Sequence, residues 1–221
     1  MSAIGERIAV VSLGLSCQTS RQIDGHVPLL RELTGDETID KASLPFDWLI
    51  STPHGLESLI QSGRFFPDDQ AAVYDDQGRL RSREHDLLYW HVSRHASRRD
   101  HPAFPDARSK FAHTSSRFGA IAKLDRVVGI VSNTQGNLPW VQDQWNVPLL
   151  DTTPEQADQV RRTFAEFLGR PVDLLMVSRT VRPDFEQRAD FAYYHMVPEA
   201  EGWAGNGRDW AAVFQDYFSR A

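Results

Sequence analysis

The chain has 221 residues, 41% of them hydrophobic, with a single cysteine and a formal charge of −6. This suits one domain over residues 1–221 with a buried core. The acidic balance argues against nucleic-acid or anionic-membrane partners. One cysteine excludes an intrachain disulfide or a Cys-based zinc cluster.

In chain order, Ile8 to Leu13 is a continuous apolar strand. Ser16 to about Leu33 is helical, broken near Gly25 and Pro28. Ser43 to Trp48 is a tight apolar passage. Thr52-Pro53 then opens a helix that runs to Gly63. Residues 67–88 are polar and turn-rich. Phe111 to Leu124 has helical spacing. Arg126 to Val131 is a second strand, followed by the polar loop Ser132 to Asn137. Thr153-Pro154-Glu155-Gln156 starts a helix ended by Gly169. Val172 to Ser178 and Phe191 to Val197 are further strands, and Asp209 to Phe218 is a closing amphipathic helix. The expected fold is α/β: a mostly parallel sheet with helices on both faces, carrying an irregular His/Arg-rich insertion around 67–113.

No secretory signal pattern opens the chain, and no apolar run approaches the ~20 residues of a membrane helix. A cytoplasmic, reducing location is expected, without a membrane partner. There is no GxGxxG or Walker-type loop, so no nucleotide cofactor is expected.

Cys17 follows the first strand across a small-residue turn, at a helix start. Helix-start N–H groups and the dipole there favour a thiolate, so an accessible thiol with a depressed pKa is the expectation. The alternative is a small buried hydrophobe. Ligands of parallel α/β sheets bind beyond the carboxyl ends of the strands. That rule collects Ser16 and Cys17, then Ser132 and Asn133, Ser178 and Arg179, and His195. Ser16, Gln18 and Arg179, with Trp48, are candidate substrate-binding residues. Five of the histidines, His85, His91, His95, His101 and His113, crowd one region. There is no HExxH, and nearby arginines would repel a cation, so no metal is expected. His91 and His195 adjoin apolar residues and are the candidate bases. Asp47, between Phe46 and Trp48, is a half-buried acid that orients an imidazole or holds a turn.

Ser12-Leu13-Gly14-x-x-Cys17, then Pro45-Phe46-Asp47-Trp48-Leu49, a central histidine, and Lys110-Phe111 to Arg117-Phe118 resemble a bacterial and viral family described as papain-like cysteine peptidases. The resemblance spans roughly the first 130 residues. It implies a thiol hydrolase with Cys17 as nucleophile, Asp47 as the acid of the PFDW string and His91 as the central histidine. The chain departs from the family in reading His91-Val92-Ser93.

The implied chemistry is thiolate attack on an acyl carbon, with an oxyanion hole from the N–H groups of Leu15 to Gln18. With His91 as base, Asn133 orients it. A second reading is an esterase-like hydrolase or acyltransferase with Ser16 or Cys17 as nucleophile, Asn133 in the oxyanion hole and His195 as base. A third is a non-catalytic carbohydrate- or ligand-binding module using Trp140, Trp145, Trp203 and Trp210. The substrate is then a small molecule, peptide or glycan.

Overall fold

Strands that read as continuous apolar runs are the ones this chain buries on both sides. In the computed structural model, the described residues are 6–40, 43–66, 72–74, 80–82, 85, 87–89, 104–145, 152–199 and 203–220; for Trp48, residues 72–74, Phe104 and Trp145 only the backbone is described. The elements are β1 (Ile8–Ser12), α1 (Cys17–Gly25), α2 (Val27–Thr34), a 3-10 turn (Pro45–Trp48), β2 (Ile50–Ser51), α3 (Pro53–Ser62), β3 (Ala72–Tyr74), β4 (Leu80–Ser82) and β5 (Leu87–Leu88). They continue with α4 (Phe104–Ala120), a second 3-10 turn (Ile121–Lys123), β6 (Arg126–Ser132), α5 (Leu138–Trp145), α6 (Pro154–Leu168), β7 (Asp173–Ser178), β8 (Phe191–His195) and α7 (Gly207–Ser219).

The main sheet is all-parallel in the order β1-β6-β7-β8. Its side chains alternate between two cores, as period-two strands require. Val11, Val127, Val131, Leu174 and Met176 face one core, with Leu56 of α3, Phe118 of α4 and Phe164 of α6. Ile8, Val128, Ile130, Leu175 and Val177 face the other, with Ile23 of α1, Leu30 of α2 and Trp210 and Phe214 of α7. Helices therefore cover both faces, as the sequence pattern predicts.

Within the expected insertion around 67–113, the described residues include three short strands and the start of α4. Strands β3, β4 and β5 join β2 from outside that region in a second, antiparallel sheet of order β2-β5-β4-β3, and α4 starts at Phe104, before the apolar spacing that begins at Phe111. Strand pairs of two and three residues carry no periodic signal of their own. The passage Pro45-Phe46-Asp47-Trp48 is a 3-10 turn, pinned by fully buried Phe46, whose ring lies edge-on to Phe118 at 5.1 Å and to Phe65 at 5.6 Å. That anchor sets Asp47 against α1.

Candidate functional site

Three neighbouring parallel strands end on a buried serine that turns its own chain. Ser12 Oγ accepts from Gly14 N at 3.3 Å, Ser132 Oγ from Thr134 N at 3.2 Å and Ser178 Oγ from Thr180 N at 3.2 Å. A hydroxyl that accepts an N–H two residues on replaces a ladder bond and bends the backbone away from the sheet. The result is three adjacent loops, 13–16, 133–137 and 179–182, at the carboxyl ends of the strands.

The first loop is strained. Gly14 has φ 89° and Leu15, a fully buried non-glycine residue, has φ 61°. A left-handed L-residue costs about 1–2 kcal/mol. Burial of the Leu15 side chain offsets that cost, since glycine there would lose the apolar contact. Gly14 is required on space as well: a Cβ on it would stand 2.9 Å from Leu56 Cδ2 and 3.3 Å from Ser51 Oγ. After this turn Ser16 is the extended N-cap and Cys17 the first residue of α1.

Cys17 is half-buried, and its Sγ donates to Gln135 Oε1 at 3.7 Å. Gln135 in turn donates from Nε2 to Asn137 Oδ1. The depressed thiol pKa expected from position is reversed. Burial pushes the thiol up to about 11; its own backbone N–H opposes this, and the nearby Asp47 charge adds to it. The helix start is present, but desolvation outweighs it.

Asp47 holds its own turn, accepting from Leu44 N at 2.8 Å, and the Ser20 hydroxyl of α1 also donates to it. Burial is the main cause of a carboxyl pushed up to about 7; the Leu44 and Ser20 bonds pull it down, Asp24 raises it and Arg117 lowers it. No described imidazole contacts it, so of the two roles read from the sequence the turn is the one seen.

The remaining predicted residues separate. Gln18 is fully buried and accepts from Thr134 Oγ1 at 2.7 Å, so it ties α1 to the β6 loop. Ser16 is fully buried too, and its Oγ has no partner among the described residues. Asn133 Oδ1 accepts from Arg179 N at 2.9 Å, which engages the oxygen that would orient an imidazole. Arg179 Nη1 is buried without an acceptor among the described residues, and burial lowers its pKa. His195 is exposed at the end of β8, the sheet edge opposite β1. Three strand spacings, ~14 Å, separate those edges, so His195 is not brought to Cys17.

His91 lies outside the described residues, as do His95 and His101, and the Trp48 side chain is likewise undescribed. His85 is buried, its Nδ1 2.8 Å from Ser58 Oγ. Trp210, considered as a ligand-stacking surface, is instead fully buried in the core, 5.6 Å from Phe214. Gln135 and Thr134 were not singled out from the sequence; their place in a polar loop right after a strand was the available signal.

Among the described residues no three His, Cys, Asp or Glu side chains gather to hold a metal ion, and no helix is long and apolar enough to cross a membrane. The fold and strand-end loops define an α/β protein with a candidate site at the carboxyl ends of a parallel sheet. Compared with known proteins, the chain matches no family model, no curated protein sequence and no solved structure.

Proposed function

We propose that the protein is a thiol-dependent hydrolase in which Cys17 attacks an acyl or amide carbon. The observation that carries this reading is the Gly14–Leu15 turn, which holds two successive positive φ angles immediately before Cys17. Strain retained at one point of a buried turn marks a residue whose presentation matters.

A thiol at about 11 is protonated at neutral pH, so the supported mechanism is general-base catalysis rather than a resting thiolate. A base takes the Sγ proton as the Sγ–C bond forms and the carbonyl electrons move to oxygen. N–H groups of residues 15–18 are the donors for that oxyanion. Collapse expels the alcohol or amine, which takes the proton from the base. Water then cleaves the thioester, releasing the acid and restoring the thiol. The resemblance to cysteine peptidases assigns the base to His91. The sheet order disfavours His195, and with it the esterase-like arrangement.

A second reading, a glycan- or ligand-binding module, is favoured by exposed apolar residues beyond the strand ends. Trp140 is 54% exposed and Trp203 49%, on segments that follow β6 and β8. The two readings separate on p-nitrophenyl acetate followed by intact-mass analysis. The hydrolase reading expects an acetyl adduct on Cys17 and turnover lost in Cys17→Ala and His91→Ala, with His195→Ala active. Equal turnover by wild type and Cys17→Ala, with no adduct, leaves the binding module.

A further inference from the structure

Several of the described arginines have an acceptor. Arg126 Nε lies 2.7 Å from Asp173, Arg161 Nε and Arg188 Nη2 each lie 2.7 Å from Asp158, and Arg31 Nε donates to Ile39 O at 2.8 Å. Arg170 reaches the carbonyls of Ala122, Leu124 and Asp125 through its two Nη atoms, which leaves only its Nε buried without a partner. Arg179 differs: its Nη1 is buried without a partner, and no other nitrogen of its guanidinium bonds to a described residue, its one described bond being from the backbone N.

A buried guanidinium N–H without an acceptor costs free energy that a surface position would avoid. Its place is not random either. Arg179 is the first residue after β7, and its backbone N–H is fixed on Asn133 Oδ1 at 2.9 Å, in the loop whose Gln135 contacts Cys17. A second orphan stands nearby in the topology, since the fully buried Ser16 Oγ beside Cys17 also lacks a partner. Guanidinium forks match planar or tetrahedral oxyanions, and a hydroxyl adds a single donor.

We propose that Arg179 binds an oxyanion of the substrate, a carboxylate or a phosphate, at the carboxyl ends of the strands. From the β1 end to the β7 end is two strand spacings, ~10 Å. The substrate class is therefore an acyl compound with an anionic group about that far from the carbonyl carbon. The placement of the carbonyl rests on Cys17 being the nucleophile; the anion contact rests on Arg179 alone.

The test titrates the whole protein with inorganic phosphate and with succinate, against sodium chloride at matched ionic strength, reading thermal midpoint and calorimetric binding. Wild type is expected to give a saturable rise with one or both oxyanions beyond that of chloride, and the larger response identifies phosphate or carboxylate chemistry. Arg179→Gln is expected to bind at least about tenfold more weakly, with Arg179→Lys intermediate because it keeps charge but loses the fork. Circular dichroism establishes that both variants fold; if Arg179→Gln does not, Arg179→Lys alone decides by binding less tightly than wild type. Cys17→Ala is expected to bind the anion as wild type does, so loss of the thiol chemistry and loss of the anion site are read separately. A chloride response equal to that of both oxyanions, or folded Arg179 variants with wild-type affinity, overturns the proposal.

Discussion

Cys17 Sγ and Gln135 Oε1 lie 3.7 Å apart, and this contact couples the helix start after β1 to the loop after β6. An amide oxygen accepts from a thiol and offers nothing to a thiolate. The contact therefore favours the protonated sulfur, in the same direction as burial and the Asp47 charge.

The first prediction concerns that charge. Cys17 is the only cysteine, so iodoacetamide reports on it without background. With the thiol near 11, the wild-type labelling rate is expected to keep rising with pH through the range in which a free thiol of pKa ~8.5 levels off. Asp47→Asn removes a negative charge and so lowers the midpoint. Burial is the larger cause, so the midpoint stays above that of a free thiol. The same pH profile in both proteins would show that the two groups do not interact.

Gly14→Ala is the second. The substitution places a methyl 2.9 Å from Leu56 Cδ2 at φ 89°. Strain and overpacking together cost about 1–3 kcal/mol, and each kcal/mol lowers the melting midpoint of a chain this size by roughly 2–4 °C. Gly25→Ala is the control: nothing lies within 4 Å, and the residue closes α1 without a positive φ. It is expected to be neutral or to stabilise by about 0.4–1 kcal/mol. Equal effects of the two in urea denaturation would remove the case for a strained turn.

Much of the frame is legible in the residues because its signals are local. Thr153 and Gln156 cap α6 reciprocally, Thr153 Oγ1 accepting at 3.3 Å and Gln156 Oε1 at 2.9 Å, and Gly169 ends it at φ 65°. The four main strands follow from their apolar runs. Non-local pairing is not written in this way. His195 can be placed at a strand end, but not at the edge opposite β1. Position at a helix start suggests a low thiol pKa, but the burial that reverses it comes from packing around half-buried Cys17. Arg179 can be placed beyond a strand, but its lack of an acceptor depends on what packs around it.

The third prediction tests what holds the β7–β8 connection to α6. Asp158 accepts from Arg161 Nε, Arg162 Nη1 and Arg188 Nη2, each at 2.7 Å, and Arg161 and Arg188 also pair with Asp190 at 3.0 and 3.1 Å. Burial raises its carboxyl, but hydrogen bonds and charge from Arg161 and Arg188 overcome this and hold it below the usual carboxylate value. A carboxyl depressed in the folded state stabilises fully above its unfolded pKa of ~3.9, and the contribution fades as pH falls through the lower folded value. Asp158→Asn is thus expected to lose about 1–3 kcal/mol at pH 7, since it leaves Arg161, only 15% exposed, with a single carboxylate partner. Urea is the denaturant to use, because guanidinium chloride screens the network. The gap between wild type and variant is expected to shrink as the pH is lowered below ~4, because the wild-type carboxyl is then neutralised too. A gap of the same size at both ends of that range would mean that Asp158 acts through shape and neutral hydrogen bonds, and that its charge contributes nothing.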